Sequence, residues 1–415
     1  MNNRICKQLL LQEKEIKRNG MHSFHRYFGK LIPAIPSFAI RHFTQEGDYV
    51  LDSFCGSGTT LLEAKILNRN AYGVELNPLV ALVAKVKTTK IDQEKLYRTL
   101  DDLQHDIVMD KTDYIKTNEP YCVNMNHWFK EFVKYDLLKL RIHILNLPSG
   151  DIKNFFLGCF SAFLRGVSNA DPQHVFPGYS KRMRQLDARG ERKIDVMEAF
   201  DRAARKRIQY LDSIPDNYAS VEVFAGDARS LPKKIKNVNL VVVNPPYISS
   251  IRYLETMKIE MGWLGTIHDQ KEYLNLDKEV IGTERFYKKD LNSMIEETGM
   301  LKLDRQINRL LKKGQTKMAK VVSQYFVDMR KSIAEMDRVL NKNGHIVFKI
   351  SDSLVRGELI PTHNYFIEIA DSLGLKPLAC FQDKINENSR SLLTARNTYS
   401  GIITHDWILI FEKWL

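Results

Sequence analysis

The first clear pattern in the chain is a strand, a glycine turn, a helix and a second strand. Apolar residues at 49–52 form a short strand that ends in an acid, and a turn with two glycines follows at 54–58. Apolar positions recur at helical spacing over 59–68, and a second apolar strand covers 71–75. Two strands joined in this way pair in parallel through a right-handed crossover. The pattern therefore predicts an α/β fold built on a parallel sheet.

A second group of apolar segments lies in the second half of the chain. They predict strands at 221–224, 238–243, 345–350 and 407–411, a helix at 321–340 and a turn at 341–344. The run at 238–243 is almost continuously apolar, as in a strand that is buried on both faces of a sheet. It ends directly before Asn244-Pro245-Pro246-Tyr247. In open α/β sheets, ligands bind beyond the carboxyl ends of the strands, so this tetrapeptide is placed for function.

Two stretches with different patterns interrupt the predicted sheet. The sheet domain is expected from 21–90 and 219–415, and the stretch 91–218 is predicted to be a mainly helical insertion. A second, polar and lysine-rich insertion is expected within the sheet domain at 248–318. Ten Lys and Arg face five Asp and Glu between 181 and 207, a local excess of five positive charges. The first insertion thus contains a candidate surface for a polyanion.

Composition limits the class of protein. The 415 residues exceed one compact core, and the net charge of +12 favours a polyanionic partner such as nucleic acid. The five cysteines are scattered without a C-x-x-C pair, so neither a disulfide framework nor a metal site is expected. No run of eighteen apolar residues predicts a membrane helix, and the charged first twenty residues lack the apolar core of a signal peptide. We therefore expect a cytoplasmic location.

The glycine turn is suited to a nucleoside-containing ligand. Gly56 and Gly58 remove side chains where a ligand approaches the backbone, and the helix that follows offers free N–H groups to an anionic group. Leu61 stands where the dinucleotide-binding G-x-G-x-x-G pattern has its third glycine, and no lysine follows Gly58 as in a P-loop. Glu75 ends the next strand, where a carboxylate can accept hydrogen bonds from two ribose hydroxyls. The alternative is a tight structural turn with a solvated Glu75.

The tetrapeptide 244–247 has the residue types needed to activate an exocyclic amino group. The nitrogen of such a group attacks poorly because its lone pair is delocalised into the ring. Two acceptors that hold its hydrogens out of the ring plane make the lone pair available, and Asn244 Oδ1 and the Pro245 carbonyl are such acceptors. Pro245 and Pro246 stiffen the loop, and Tyr247 offers a face on which a base can stack, worth about 1–3 kcal/mol. The alternative is a proline-bounded structural loop.

Several segments together resemble the DNA amino-methyltransferases, the family that methylates adenine N6 or cytosine N4. These segments, each similar to one conserved motif of that family, are His25 to Lys30, Asp52 to Thr60, Glu75-Leu76-Asn77-Pro78, Gly226-Asp227-Ala228 and Asn244-Pro245-Pro246-Tyr247. The resemblance covers about half of the chain, and neither insertion contributes to it. It implies a class I S-adenosylmethionine-dependent methyltransferase fold, a Rossmann-like mixed sheet with helical insertions.

The resemblance also implies roles for individual residues. Asn244, Pro245, Pro246 and Tyr247 would be the catalytic residues. The cofactor S-adenosylmethionine would be bound by Tyr27, Lys30, Asp52, Phe54, Cys55, Gly56, Gly58, Thr59, Glu75, Leu76, Asp227 and Ala228. Among these, Glu75 would hold the ribose, and Asp227 with Ala228 would border the adenine. No metal is expected.

The target implied by the resemblance is a base in double-stranded DNA. Asn at position 244 is more typical of adenine-N6 enzymes, whereas the 54–60 loop and the 248–265 continuation are similar to cytosine-N4 members. A duplex hides its amino groups, so the base must be everted before direct in-line transfer of the methyl group. We expect Lys181, Arg182, Arg184, Arg189 and Arg192 to contact DNA phosphates. The target-recognition region is expected at 91–218, and 248–318 is the alternative location for it.

Three other functions can be weighed against the same sequence. Enzymes that methylate ribosomal RNA or a protein glutamine also use Asn-Pro-Pro-Tyr, although the long basic insertions disfavour the glutamine reaction. A non-catalytic binding protein could keep the same pocket without turnover. A dehydrogenase fits poorly because the third glycine is absent. If the chain methylates DNA at a specific site, the family implies a restriction-modification or epigenetic system, with a cognate restriction endonuclease as a partner in the first case.

Overall fold

The computed structural model describes residues 20–112, 114, 119–248, 252–286, 294–384 and 405–414. Nine strands occur in these residues: β1 (Tyr49–Asp52), β2 (Asn70–Glu75), β3 (Val221–Ala225), β4 (Val238–Val243), β5 (Leu340–Ser351), β6 (Ser353–Val355), β7 (Glu358–Ile360), β8 (Leu375–Lys384) and β9 (His405–Lys413). Seven of them form one sheet in the order β3-β2-β1-β4-β5-β9-β8, and β6 and β7 form a separate hairpin.

The large sheet is mixed because one strand runs against the others. β1, β2, β3, β4 and β5 pair in parallel, whereas β9 pairs antiparallel with both β5 and β8. The sheet therefore contains one reversed strand near its edge and brings the carboxyl ends of β1 to β4 to one side. This architecture confirms the predicted class I methyltransferase fold, a Rossmann-like mixed sheet.

Fifteen α-helices accompany the strands in the described residues. They are α1 (Ala34–Phe43), α2 (Thr59–Ile66), α3 (Pro78–Thr88), α4 (Gln93–Met109), α5 (Met125–Trp128), α6 (Glu131–Asn146), α7 (Asp151–Val167), α8 (Lys181–Ala188), α9 (Val196–Tyr210), α10 (Tyr253–Thr256), α11 (Lys258–Leu264), α12 (Gln270–Glu279), α13 (Leu301–Lys312), α14 (Thr316–Val339) and α15 (Thr362–Ser372). Short 3-10 helices cover Gly20–Ser23 and Leu211–Ser213.

Helices cover both faces of the sheet, and β4 shows why its sequence is continuously apolar. Val241 and Val243 pack in a core with α13, α14 and α15. Leu240 and Val242 point to the opposite face and pack in a second core with α1 and α2. Successive side chains of a strand alternate between the two faces, so a strand covered on both sides needs apolar residues throughout.

A third core belongs to the helices of the 91–218 stretch. Its members come from α4, α6, α7 and α9, and it joins the sheet domain through α3. No strand occurs between 91 and 218 in the part of this stretch that the structure describes. The division of the chain into a sheet domain and an insertion at 91–218 stays a prediction, as does the recognition role of that stretch.

The predicted elements correspond closely to the observed ones in the first β-α-β unit. β1 and β4 have the predicted bounds, and the helix predicted at 59–68 ends at Ile66. The predicted turn at 341–344 lies within the span of β5, as an interruption of its pairing: Leu340 pairs with Val238 and His345 with Leu240, and Asn343 has a positive φ of 60°. The sequence pattern did not predict β8, the β6–β7 hairpin or α1.

Candidate active site

One cleft lies at the edge of the sheet where β1 to β4 end. Its empty volume is about 960 Å³ including the open mouth. The residues that line it come from seven separate segments: 27–31, 52–59, 74–80, 226–228, 244–246, 253–254 and 279–281. The strand order brings these segments together, because parallel strands present their carboxyl ends at one edge.

The glycine turn forms one wall of the cleft. Gly56 has a φ of 49°, and a Cβ built on it would lie 2.8 Å from Tyr27 Cε1, so a side chain at this position would displace the tyrosine ring. Gly58 is the N-cap of α2 with a φ of 75°, and a Cβ there would lie 3.0 Å from the Cβ of Ala84 in α3. Gly56 therefore leaves room for the Tyr27 ring at the wall of the cleft, while Gly58 serves helix packing and does not line the cleft.

The side chain of Leu61, at the position of the missing third glycine, is accommodated by a glycine in the neighbouring strand. A Cβ added to Gly73 of β2 would lie 2.4 Å from Leu61 Cδ1, so the strand leaves the space that the leucine fills. The helix and strand thus pack closely, as in a dinucleotide-binding fold, with the small residue on the strand.

Glu75 is held at the end of β2 by backbone donors. Its Oε2 accepts a hydrogen bond from the N–H of Gly56 at 3.0 Å, and its Oε1 accepts one from the N–H of Asn77 at 2.9 Å. Each carboxylate oxygen has two lone pairs, so both oxygens keep capacity for a further donor. The carboxylate lines the cleft and can accept hydrogen bonds from a diol.

Two of the four residues of the tetrapeptide 244–247 line the same cleft as the glycine turn, whereas Pro245 and Tyr247 do not line it. Asn244 and Pro246 line the cleft together with Phe54 and Gly56. The Nδ2 of Asn244 donates to the backbone carbonyl of Gly29 at 3.1 Å, which ties the tetrapeptide to the N-terminal segment. The glycine turn and Asn244 therefore lie at one cleft, which has room for a nucleoside beside a second planar group.

Comparisons with known proteins agree with this geometry. A sequence family described as DNA methylase matches residues 7–85. Type II methyltransferase M.MvaI of Kocuria varians is 26% identical, and the alignment covers 95% of this chain and 91% of that protein. Type II methyltransferase M.BsoBI of Geobacillus stearothermophilus is 20% identical over 96% of this chain and 86% of that protein. The chain belongs to the DNA amino-methyltransferase family.

A third relative matches a shorter segment. Type II methyltransferase M.MjaII of Methanocaldococcus jannaschii is 37% identical over 23% of this chain and 18% of that protein. S-adenosylmethionine is the cofactor of such a methyltransferase, and the residues of the cleft suit it: backbone donors at the glycine turn, an acceptor carboxylate at Glu75 and an apolar border at Val80 and Ala228.

Eleven of the twelve cofactor residues predicted for this DNA amino-methyltransferase line the cleft. They are Tyr27, Lys30, Asp52, Phe54, Cys55, Gly56, Thr59, Glu75, Leu76, Asp227 and Ala228; Gly58 stands behind them. The Tyr27 ring stacks on Tyr253, with 6.1 Å between centroids and an angle of 16°. Asp227 is paired with Arg229, which also contacts Glu279 and Asp328. The carboxylate of Asp227 is therefore held in place at the border of the cleft.

Two carboxyl groups in the cleft are poised near neutral pH. Burial raises the pKa of Glu75 to about 7, although the N–H groups of Asn77 and Gly56 oppose the shift. Burial likewise raises the pKa of Asp52 to about 7. A carboxyl in an apolar surrounding favours its neutral form, since the charged form loses its hydration.

One lysine lines the cleft beside the glycine turn, and a second, which was not predicted, lies behind that turn. Lys87 of α3 is fully buried and donates to the carbonyl of Ser57 in the glycine turn at 2.6 Å. Lys30 donates to the carbonyls of His22 and His25. Burial lowers the pKa of Lys87 to about 7, with Lys30 adding to the shift, and burial lowers that of Lys30 to about 8. Lys30 lines the cleft, where an anionic ligand group would favour its charged form, whereas Lys87 does not line the cleft.

The basic residues predicted to contact DNA divide into two groups. Lys181, Arg184 and Arg189 are exposed on or just after α8. Arg192 has a side chain that is only 9% exposed, and it donates to Asp187, Asn169 and the carbonyl of Ser168. Arg182 pairs with the buried Asp171. Arg192 and Arg182 thus help to hold the 168–187 segment, because Arg192 is largely buried and Arg182 pairs with a buried carboxylate. Arg184 donates to the Tyr179 carbonyl and Arg189 pairs with Glu191, but both side chains stay exposed.

The described part of this methyltransferase contains no cluster of three His, Cys, Asp or Glu that could hold a metal ion. None of its described helices is both long and apolar enough to cross a membrane. Four cysteines in the same residues are free thiols: Cys55, Cys122, Cys159 and Cys380.

Sequence reasoning missed four residues at or behind the cleft: Lys87, Tyr253, Lys349 and Asp406. A usable signal existed for Lys349, since it is the one charged residue in the apolar run Ile346 to Ile350 of β5. A charged side chain in a buried strand requires a partner, and Asp406 of β9 is that partner. Tyr253 gave no such signal, because its contact with Tyr27 depends on how α10 packs.

Proposed function

We propose that this chain transfers a methyl group from S-adenosylmethionine to an exocyclic amino group of a base in double-stranded DNA, with adenine N6 as the target. One observation supports the proposal above the others: Asn244 and Pro246 of the tetrapeptide line the same cleft as Gly56 of the glycine turn and Glu75. A methyl donor and a base held in the same cleft would react directly, because positioning replaces a covalent intermediate.

The cleft suggests how each residue would hold the cofactor. Glu75 would accept hydrogen bonds from the ribose hydroxyls, and the turn at Gly56 would lie against the methionine part with Lys30 and Lys87 nearby. Asp227 and Ala228 would border the adenine. When bound, S-adenosylmethionine supplies a methyl group on an electron-poor sulfonium, which an amino nitrogen can attack.

Asn244 and Pro245 would activate the target nitrogen. The Oδ1 of Asn244 accepts one hydrogen bond from the Tyr247 hydroxyl at 3.3 Å and keeps a second lone pair for a hydrogen of the target amino group. The Pro245 carbonyl would accept the other hydrogen. Asn244 is neutral and cannot serve as a strong base, so the proton would leave to water after transfer.

The base would have to leave the duplex to reach this cleft. Base eversion costs a few kcal/mol, which stacking on an aromatic ring such as Tyr247 partly offsets. Lys181, Arg184 and Arg189 are exposed and have no buried carboxylate partner, unlike Arg182, and phosphate contacts from them would supply salt-sensitive affinity. We propose the helical 91–218 stretch as the target-recognition region.

A second candidate target is cytosine N4. Asn244 in the first position of the tetrapeptide favours adenine, but the Phe54 to Thr60 loop and the continuation after Tyr247 resemble cytosine-N4 enzymes. In either case the methyl group is transferred to an exocyclic amino group, and the cofactor and the mechanism are the same. If the methylation is site-specific, a cognate restriction endonuclease is the expected partner.

The test is product analysis with labelled methyl donor. Purified chain is incubated with duplex DNA, ribosomal RNA and a protein extract in separate reactions, and each is digested for mass spectrometry. We expect N6-methyladenine in DNA, and N4-methylcytosine would select the second candidate. The Asn244→Ala variant should bind the cofactor normally and lose transfer by about 100-fold or more. Label only in RNA or protein would refute the DNA assignment, and unchanged transfer by Asn244→Ala would refute the role of Asn244.

A further inference from the structure

A charged pair lies directly behind the tetrapeptide, where β5 and β9 meet. Lys349 of β5 pairs with Asp406 of β9, and both side chains are only 13% exposed. Ser351 donates to the other oxygen of Asp406. Val243 of β4 is in register with Phe348 of β5, so Lys349 stands beside Asn244, the next residue along. Neither member of the pair lines the cleft.

A chain of hydrogen bonds connects this pair to Asn244. Lys349 Nζ lies 3.4 Å from the Tyr247 hydroxyl oxygen, and that hydroxyl lies 3.3 Å from Asn244 Oδ1. An ammonium has donors only, so the phenol oxygen must accept from Lys349. The phenol hydrogen is then directed away from Lys349 and donated to Asn244 Oδ1.

These hydrogen bonds fix the orientation of the Asn244 amide at both ends. Its oxygen receives the Tyr247 hydroxyl, and its nitrogen donates to the carbonyl of Gly29 at 3.1 Å. A flipped amide would place its NH₂ against a hydroxyl hydrogen and its oxygen against a carbonyl, so that neither hydrogen bond could form. Because Lys349 donates to the Tyr247 hydroxyl, the Asn244 oxygen is held beside that hydroxyl and the Asn244 nitrogen beside the Gly29 carbonyl.

The pair with Asp406 keeps Lys349 charged. Burial alone would lower the pKa of Lys349, but Tyr247 and Asp406 outweigh burial and hold the pKa above its ordinary value. A buried lysine without such a partner would lose its charge and with it the obligatory direction of donation. Asp406 therefore acts on the tetrapeptide through Lys349.

We propose that Lys349, anchored by Asp406, is a positioning residue for methyl transfer: through the Tyr247 hydroxyl it holds the Asn244 oxygen in place for the target amino group. This inference rests on the proposed function, because it assigns Asn244 Oδ1 as an acceptor in the reaction. A purely structural ion pair would stabilise β5 against β9 without affecting the reaction rate.

The test compares two ion pairs on the same strand. Lys349→Met removes the donor at similar side-chain length. Lys413→Met breaks the pair of Lys413 with Asp337, whose atoms are 3.2 Å apart, at the other end of β9 from Asp406. We expect Lys349→Met to lower kcat about 10- to 100-fold with the cofactor Kd unchanged within about twofold. Lys413→Met should lose thermal stability to a similar extent and keep kcat.

Two further variants separate positioning from folding. Lys349→Arg retains a charged donor and should recover part of the lost rate. Tyr247→Phe removes the hydroxyl and keeps the ring, and the double variant with Lys349→Met should be no slower than Tyr247→Phe alone, since both break one chain of hydrogen bonds. Additive losses, or full kcat in Lys349→Met with lowered stability, would overturn the proposal.

A readout without DNA distinguishes failure of this inference from failure of the proposed function. With ¹⁵N in asparagine side chains, the NH₂ signals of Asn244 should shift or broaden in Lys349→Met and stay unchanged in Lys413→Met. An unchanged Asn244 signal in Lys349→Met would reject the positioning contact, whatever the substrate. An altered signal in a protein whose wild type leaves DNA unmethylated would support the contact and reject the DNA assignment.

Discussion

The carboxylate of Glu75 and the backbone N–H of Gly56 are joined by a hydrogen bond of 3.0 Å between Oε2 and the nitrogen. This contact connects the end of β2 to the glycine turn, and the N–H of Asn77 holds the other oxygen at 2.9 Å. Backbone donors thus orient the carboxylate before any ligand arrives. The cleft is preorganised at the point where a ribose would bind.

The substitution Glu75→Gln should weaken cofactor binding. An amide NH₂ in place of one oxygen would face a backbone N–H and could no longer accept a ribose hydroxyl. Loss of a hydrogen bond to a charged group amounts to about 1.5–3 kcal/mol, so the Kd for S-adenosylmethionine should rise about 10- to 100-fold. Isothermal titration calorimetry measures the change. The control is Glu222→Gln in β3, where the carboxylate pairs with Lys234 at the surface; a Glu75→Gln variant with the affinity of this control would contradict the assignment.

Cofactor affinity should depend on pH near neutrality. The pKa of Glu75 is raised to about 7, so below that pH the group is increasingly protonated and loses an acceptor. Affinity should therefore fall as the pH drops below about 7, and it should fall again above about 8, where Lys30 loses its charge. The pKa of Asp52 is raised to about 7 as well, so part of the loss at low pH should persist in Glu75→Gln and disappear only when Asp52→Asn is added. A flat pH profile in the wild type would argue against buried carboxylates at the binding site.

The substitution Gly56→Ala should displace the Tyr27 ring at the cleft, in addition to straining the backbone. Gly56 and Gly47 both have positive φ, 49° and 85°, and an alanine at either costs about 1–2 kcal/mol. A Cβ at Gly56 meets Tyr27 at 2.8 Å, whereas a Cβ at Gly47 has nothing within 4 Å. Both variants should lose similar stability in urea denaturation, and only Gly56→Ala should lose cofactor affinity. Equal affinities in the two variants would show that Tyr27 does not contribute to the site.

Two arginines near α8 should behave differently. Arg189→Ala should weaken DNA binding and reduce the slope of log affinity against log salt by about one, with stability unchanged, because its side chain is 67% exposed. Arg192→Ala should lower stability by about 1–3 kcal/mol, since it leaves partners at Asp187, Asn169 and Ser168 unsatisfied. Salt-dependent filter binding and urea denaturation measure the two effects. An unchanged salt slope in Arg189→Ala would remove this residue from the DNA surface.

Most of the first β-α-β unit and its ligand loop could be predicted because the signals are local. Gly56 and Gly58 mark the turn within five residues, and Glu75 follows at the end of the next apolar strand. The hydrophobic run before Asn244 gave β4 its bounds in the same way. Local patterns of this kind predict the observed elements, because the geometry of a strand or a turn is set by neighbouring residues.

The missed parts depend on contacts between distant segments. β8 has a mixed sequence, Leu375 to Lys384, and it becomes a strand only because β9 offers a partner. The exposure of basic side chains also depends on distant segments. Arg189 and Arg192 are three residues apart and have the same chemistry, but only Arg192 is largely buried, because it pairs with Asp187 and donates to Asn169 and the Ser168 carbonyl.

The α/β unit, the glycine turn and the tetrapeptide could be recognised from the sequence alone, because each is a run of consecutive residues with a local signal. The folded chain sets the position of Lys87 behind the glycine turn, of Tyr253 on Tyr27 and of Lys349 between Asp406 and Tyr247. These contacts join residues far apart in sequence, and such pairings are chosen by the packing of helices and strands into one core rather than by any local pattern.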